Sequence, residues 1–175
     1  MDLTTRRLTL RAWRDDDAPR LLDIMSREEV MRWLGDGPTV LLTEVDQARQ
    51  RIARWNGLSL TPPLGYWAVE TKADAELVGA VLLLTLPNAT AGEVEIGWWL
   101  HPDAWGQGYA TEAAQAVMAH GFAAGLPEIL AVTHLGNEPS MNVCRKLGMS
   151  DEGVVHRWYD ADMRLFRRPV AAVHE

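Results

Sequence analysis

The chain has 175 residues, 47% of them hydrophobic and 23% charged, which suits one globular domain able to bury roughly 70% of the surface its unfolded chain would expose. Disordered, collagen-like and coiled-coil classes are thereby excluded. Acidic residues (24) outnumber basic ones (17), and the net charge of −7 argues against general binding to nucleic acid or an anionic membrane, where Lys and Arg must meet phosphates.

The pattern opens with alternation. Leu8, Leu10 and Ala12 stand against Thr9, Arg11 and Trp13, which predicts a strand. Asp15, Asp16 and Asp17 offer an N-cap and dipole-matching carboxylates to a helix from about Ala18 to Met25. Ser26 with Glu29 reads as a capping box, opening a second short helix through Leu34 that Gly35 and Gly37 end. Thr43 caps a third helix, where Val45, Ala48, Ile52 and Trp55 form one apolar stripe before Gly57. The period then falls to two. Strands are expected at Tyr66–Glu70, Leu77–Leu86 and Gly92–Leu100, joined by short turns into an antiparallel meander. A long helix follows Gly108, with Ala110, Ala113, Ala114, Val117, Met118 and Gly121 on one face. A strand at Ile129–Thr133, a helix at Ser140–Leu147 stopped by Gly148, and strands near Val154–Trp158 and Met163–Phe166 complete the chain. The order β-α-α-α-β-β-β-α-β-α-β-β, without repeat or linker, describes one α/β domain of the α+β type over residues 1–175.

Chemistry concentrates between Glu93 and Ala113, where a strand enters a glycine-bearing turn and a helix begins inside it. Gly106 and Gly108 lack the Cβ atoms that would hinder backbone approach to a ligand. The first helical turn leaves N–H groups without partners at the positive end of the dipole. Together these suit a phosphate or pyrophosphate, so an acidic protein can hold an anionic ligand through backbone donors. The turn is not a P-loop, since no Gly-Lys-Ser/Thr follows, and its strand does not open a βαβ unit.

This segment resembles the acyl-CoA-binding motif of the GNAT (Gcn5-related) N-acetyltransferase superfamily, and within it the branch of ribosomal-protein N-terminal acetyltransferases. The family pattern Arg/Gln-x-x-Gly-x-Gly/Ala meets Trp105-Gly106-Gln107-Gly108-Tyr109-Ala110, with Trp105 in place of the Arg or Gln. The branch's run Trp-Gly-x-Gly-Tyr-Ala-Thr-Glu-Ala is present from Trp105 to Ala113. A second signature, Asn-x-x-Ser and then Leu-Gly-Phe/Met, is similar to Asn137–Ser140 and Leu147-Gly148-Met149, and Glu29–Leu34 also fits the branch. The resemblance spans roughly residues 5–168. It implies a single GNAT-like domain with a mixed, mostly antiparallel central sheet flanked by helices.

By the same resemblance, the main chain at Trp98 and Leu100 pairs with the pantetheine arm of acetyl-CoA, the co-substrate. Backbone amides at Gly106, Gln107, Gly108, Tyr109, Ala110 and Thr111 hold the pyrophosphate, and Trp105 is counted with them. Asn137 either hydrogen-bonds the pantetheine or caps the following helix. Ser140 is either the proton donor at the sulfur or a helix N-cap. The implied reaction is direct attack by an uncharged amine on the thioester in a ternary complex. Deprotonating an α-amine at neutral pH costs about 1 kcal/mol, against about 4.5 kcal/mol for a Lys side chain. A modest base therefore serves an α-amine. Glu95 is the candidate, competing with Glu93 on the same strand face; the alternative is that one or both are solvated strand charges.

Other residues are read more plainly. Cys144, the only cysteine, suits a small buried apolar position and a reducing, cytoplasmic compartment. The first residues carry no apolar stretch before a small-residue cleavage site, so they are not read as a secretory signal. The histidines 101, 120, 134, 156 and 174 have no metal-ligand spacing, so no metal is expected. Trp13, Trp55 and Trp67 are assigned to the core, whereas Trp33, Trp99 and Trp158 are candidates for an acceptor pocket. Arg145 and Lys146 either reach the 3′-phosphate of CoA or are surface charges, the second reading being preferred. The expected partner is an amine acceptor, a peptide N-terminus or a small molecule, with no nucleic acid and no membrane; an exposed strand edge is compatible with a homodimer. Rival readings are an acyltransferase with a different acyl donor and a non-catalytic acyl-CoA-binding regulatory module.

Overall fold

The apolar alternation between residues 65 and 100 forms the middle of one eight-stranded sheet. The computed structural model describes residues 1–58 and 61–171; His174 lies outside them. In chain order the elements are β1 (Leu3–Thr4), β2 (Leu8–Arg11), α1 (Ala18–Met25), α2 (Glu28–Met31), α3 (Val45–Gly57), β3 (Gly65–Thr71), β4 (Leu77–Thr85) and β5 (Val94–Leu100). There follow α4 (Tyr109–Ala123), β6 (Glu128–His134), α5 (Glu138–Lys146), β7 (Ser150–Val155) and β8 (Met163–Pro169). The strand order is β1-β2-β3-β4-β5-β6-β8-β7. Every neighbouring pair is antiparallel except β5 and β6. This is the mixed, mostly antiparallel sheet flanked by helices that the sequence predicts.

Both faces are covered. On one, the small residues Ala113, Ala114 and Val117 bring α4 down onto Val81, Leu83, Val94 and Ile96, with Met141 and Cys144 of α5 beside them. On the other, Leu21, Ile24, Ala48 and Ile52 of α1 and α3 pack on Ala68, Ala80 and Trp99. A small third cluster joins Leu86, Leu130 and Trp158. Alternation along β5 therefore sends Val94, Ile96 and Leu100 toward α4 and Trp99 toward the α1–α3 layer.

Four local expectations change. Asp15–Asp17 form a 3-10 turn, and no side chain caps α1. Asp17 instead turns inward and takes two hydrogen bonds of 2.8 Å from the buried Arg11 guanidinium. Ser26 ends α1, its hydroxyl donating to the Asp23 carbonyl, so α2 begins without the Ser26–Glu29 box and stops at Met31. The cap of α3 is Glu44, paired with Gln47 in a capping box, rather than Thr43. Finally, β7 runs from Ser150 to Val155, and Trp158 lies beyond it in the connection to β8 with a left-handed φ of 71°.

Candidate active site

The single parallel contact, Glu95 opposite Leu130, holds β5 to β6. From Gly97 to Leu100 the strand is paired with β4 alone, so its far edge offers unpaired peptide groups beyond the point where it leaves β6. A cleft of about 670 Å³ lies there. Trp98, Leu100, Trp105, Gly106, Gly108, Tyr109, Ala110, Thr111, Asn137 and Ser140 all line it. Gln107 and Glu95 lie outside its wall.

The turn that feeds α4 owes its shape to two glycines. Gly106 and Gly108 have φ of 73° and 78°, in the left-handed region that only glycine enters at no steric cost. A Cβ at Gly106 would meet open space, so the requirement there is conformational. Gly108 is the N-cap of α4 and leaves the first amides of the helix facing the cleft, a donor set for an anion. Trp105 is half exposed, at 49%, and its indole N–H donates to the Leu100 carbonyl at 3.0 Å. One of the two peptide groups expected to meet the pantetheine is thus already engaged on one lone pair, and Trp98 carries the freer main chain.

A second, more open cavity of about 460 Å³ shares Gly108, Thr111 and Lys146 with the first and adds Arg6 and Arg7. Of these three cations only Lys146 is considered from the sequence; Arg6 and Arg7 are not singled out. Arg7 is fixed by Glu112, which accepts its Nε–H at 2.7 Å, its backbone N–H at 2.8 Å and the Thr5 hydroxyl at 2.6 Å. Its guanidinium lies over the Tyr109 ring, 4.7 Å from the centroid. Arg145 points elsewhere, bonding Asn142 and Glu138.

Asn137 is the N-cap of α5, its side-chain oxygen accepting the Ser140 N–H at 3.3 Å. The side chain of Asn137 thus acts as a cap, and the residue also lines the cleft. Ser140 is therefore not the cap; among the described residues its hydroxyl has no protein partner.

Glu95 sits on β5 three residues before Trp98, partly buried, and accepts the Tyr159 hydroxyl at 2.6 Å. Burial pushes its carboxyl up to about 7, and the Tyr159 hydrogen bond offsets only part of that. Its rival Glu93 lies just outside the strand. It pairs with Arg157 and takes the Ala91 N–H, which hold its carboxyl below the ordinary range, the backbone N–H of Ala91 most of all. Glu95 is thus the carboxylate poised to exchange a proton near neutral pH. Tyr159 was missed because its partner lies 64 residues away, and no local pattern announces it.

Cys144 is fully buried, and burial pushes its thiol up to about 12, which removes it as a nucleophile. Trp33 and Trp99 border the cleft, although Trp99 belongs mainly to the core, stacked 5.8 Å from Trp13. Trp158 closes the third cluster instead. His134, at the end of β6, contacts the Gly35 carbonyl at 2.6 Å and so ties that strand to the loop after α2. Among the described residues, no three His, Cys, Asp or Glu side chains could hold a metal ion, and no helix is long and apolar enough to cross a membrane.

Comparison with known proteins agrees with the fold. The family model described as an acetyltransferase (GNAT) domain matches residues 7–150. The uncharacterized N-acetyltransferase p20 of Bacillus licheniformis is 32% identical over 93% of this chain and 90% of its own length. Among solved structures, a GNAT-family acetyltransferase from Bacillus anthracis superposes with a TM-score of 0.79 at 24% identity, over 97% of this chain and 98% of that one. RimL, a ribosomal L7/L12 alpha-N-protein acetyltransferase in complex with coenzyme A, shares the fold at a TM-score of 0.79 and 20% identity, with the same coverage.

Proposed function

The chain belongs to the GNAT family of acetyltransferases, and from that premise we propose that it moves an acetyl group from acetyl-CoA to a primary amine, a protein or peptide α-amine by preference, by direct attack in a ternary complex. The observation that carries this reading is the position of Glu95, a carboxylate near 7 on the strand whose next residues form the open edge of the cleft.

Acetyl-CoA supplies an activated acyl thioester. Trp98 offers the main-chain edge for its amide-bearing arm, and the first amides of α4 suit its pyrophosphate. Arg6, Arg7 and Lys146, around the adjoining cavity, suit its remaining phosphate charge. The acceptor ammonium gives one proton to Glu95. The amine lone pair then forms the N–C bond, the C–S bond breaks, and the second proton of the acylated nitrogen passes to the departing sulfur through Ser140 or through water reaching its hydroxyl, which restores the serine. Glu95 favours an α-amine over a Lys side chain. Transfer from an α-ammonium of pKa about 7.7–8.0 to a carboxylate near 7 is close to balanced, whereas transfer from Lys at about 10.4 is uphill by more than three pKa units. RimL, named as an alpha-N-protein acetyltransferase, supports the same acceptor class. The buried, unpaired thiol of Cys144 fits a cytoplasmic setting.

Calorimetry with acetyl-CoA, run with a thiol-release assay on peptide α-amines, polyamines and amino sugars, tests the proposal. Micromolar binding with turnover on peptide α-amines is expected. Turnover confined to another amine class overturns the acceptor, binding without turnover favours the regulatory module, and no binding overturns the whole reading.

A further inference from the structure

We propose that Tyr159 is the positioning residue for Glu95: the connection between β7 and β8 carries a hydroxyl donor that orients this carboxylate and stabilises its charged form for the acceptor amine. The inference rests on the reading of Glu95 as the base and adds the group that makes it one.

The geometry is specific. Tyr159 donates to Glu95 at 2.6 Å, the short distance of a charge-assisted bond. Two residues earlier Arg157 pairs with Glu93, so the connection meets β5 at Glu95 and, just before the strand begins, meets Glu93. It is not a loose loop. The Asp160 N–H donates to the Asp36 carboxylate at 2.7 Å, and the Trp158 carbonyl accepts from Asn88 at 3.1 Å. Trp158 itself is buried against Leu86 and Leu130 while holding its left-handed φ of 71°. A bulky residue keeps that conformation only where its surroundings over-determine it, and such residues gather at functional sites.

The neighbours of Glu95 supply no competing charge. Its register partners on β4 and β6 are Leu84 and Leu130. From β3, Tyr66 is neutral, its buried hydroxyl pushed up to about 12 and accepting the Trp99 indole N–H. Arg51 on α3 bears on Tyr66, Asp36 bears on Tyr159, and Arg157 is engaged by Glu93. Tyr159 is pushed far above the ordinary phenol range by burial and by the Glu95 charge, so it remains a donor. Its proton stays on the Tyr159–Glu95 bond and is not the one delivered to the departing sulfur.

The test is a pH titration of protein labelled with ¹³C at the glutamate carboxyl carbons. Glu95→Gln identifies the Glu95 resonance by its disappearance, and in the wild type that resonance titrates near 7. Because the Tyr159 bond favours the ionised form, Tyr159→Phe is expected to raise the midpoint by about one pH unit. In thiol release from a peptide α-amine, kcat/KM should then fall roughly tenfold at about pH 6 and less than about threefold at about pH 8.5, with acetyl-CoA affinity unchanged. A Glu95 midpoint that Tyr159→Phe leaves in place, or a loss of equal size at every pH, overturns the role of Tyr159 alone. Full activity in Glu95→Gln overturns the base and Tyr159 together. The titration needs no acceptor, so it decides the point even for a variant with weak turnover.

Discussion

The two sides of β5 are built by different means. Toward α4 and α5 the cleft is main chain and small apolar side chains: an unpaired strand edge, two left-handed glycines, and Ala113, Ala114 and Val117 holding the helix close. Toward α1–α3 and the β7–β8 connection the structure depends on polar side chains from distant segments. Arg11 bridges Asp17 and Glu70, Glu95 meets Tyr159, and Asp36 meets the Asp160 amide. A site made of backbone tolerates side-chain change, and Trp105 stands where the family pattern has Arg or Gln. A site made of long-range side-chain pairs does not, and that side is where acceptor choice is expected to reside.

The largest effect should come from the polar side. Arg11→Met would leave the buried Asp17 and the largely buried Glu70 without their shared guanidinium. Breaking such a cluster costs about 3–5 kcal/mol, so Tm in thermal denaturation should drop by roughly 10 °C. A loss within a degree or two would show that this half is held by its aromatic packing instead, Trp13, Trp55, Tyr66 and Trp99.

Next, Glu95→Gln should lower kcat/KM about a hundredfold, within the usual range for a general base, with acetyl-CoA affinity by calorimetry little changed. Gly108→Ala should do the converse. An alanine held at φ 78° costs about 1–2 kcal/mol, and its Cβ would lie 3.5 Å from the Arg7 guanidinium. Acetyl-CoA should therefore bind roughly tenfold more weakly in the same titration. If both variants lose affinity and turnover alike, the division between the two sides fails.

The same division marks what could be read from the sequence. The cleft side is local: strand, turn and helix N-terminus follow one another from Val94 to Tyr109, so period and glycine spacing reveal them. The order of the main elements was legible for the same reason. Leu3–Thr4 was not, since two residues carry no period. The boundary of β7 slipped because this edge strand is largely exposed on both faces, leaving no alternation. Asp17 looked like a helix cap until the topology brought Arg11 beside it. Glu95 could be picked out by its place on the strand. Its partner Tyr159 could not, because only the completed sheet order brings the connection before β8 back over β5.

The last effect separates catalysis from stability at a single residue. Glu95 is raised from the ordinary 4.5 to about 7, so between those values the folded chain binds more protons than the unfolded one. Stability must then fall as pH rises through this window, and the penalty is complete only above about 7. Glu95→Gln removes the buried charge while its amide oxygen still accepts from Tyr159. The variant should therefore melt with the wild type below about pH 4.5 and several degrees above it at about pH 8; the full shift is worth about 3 kcal/mol, and solvent reaching the partly exposed carboxylate lowers that. A gain at the pH where activity is lost would mean that the carboxylate is kept at Glu95 against the interest of the fold. Equal melting at both pH values would mean that water already solvates the carboxylate, and its raised pKa would then need another cause.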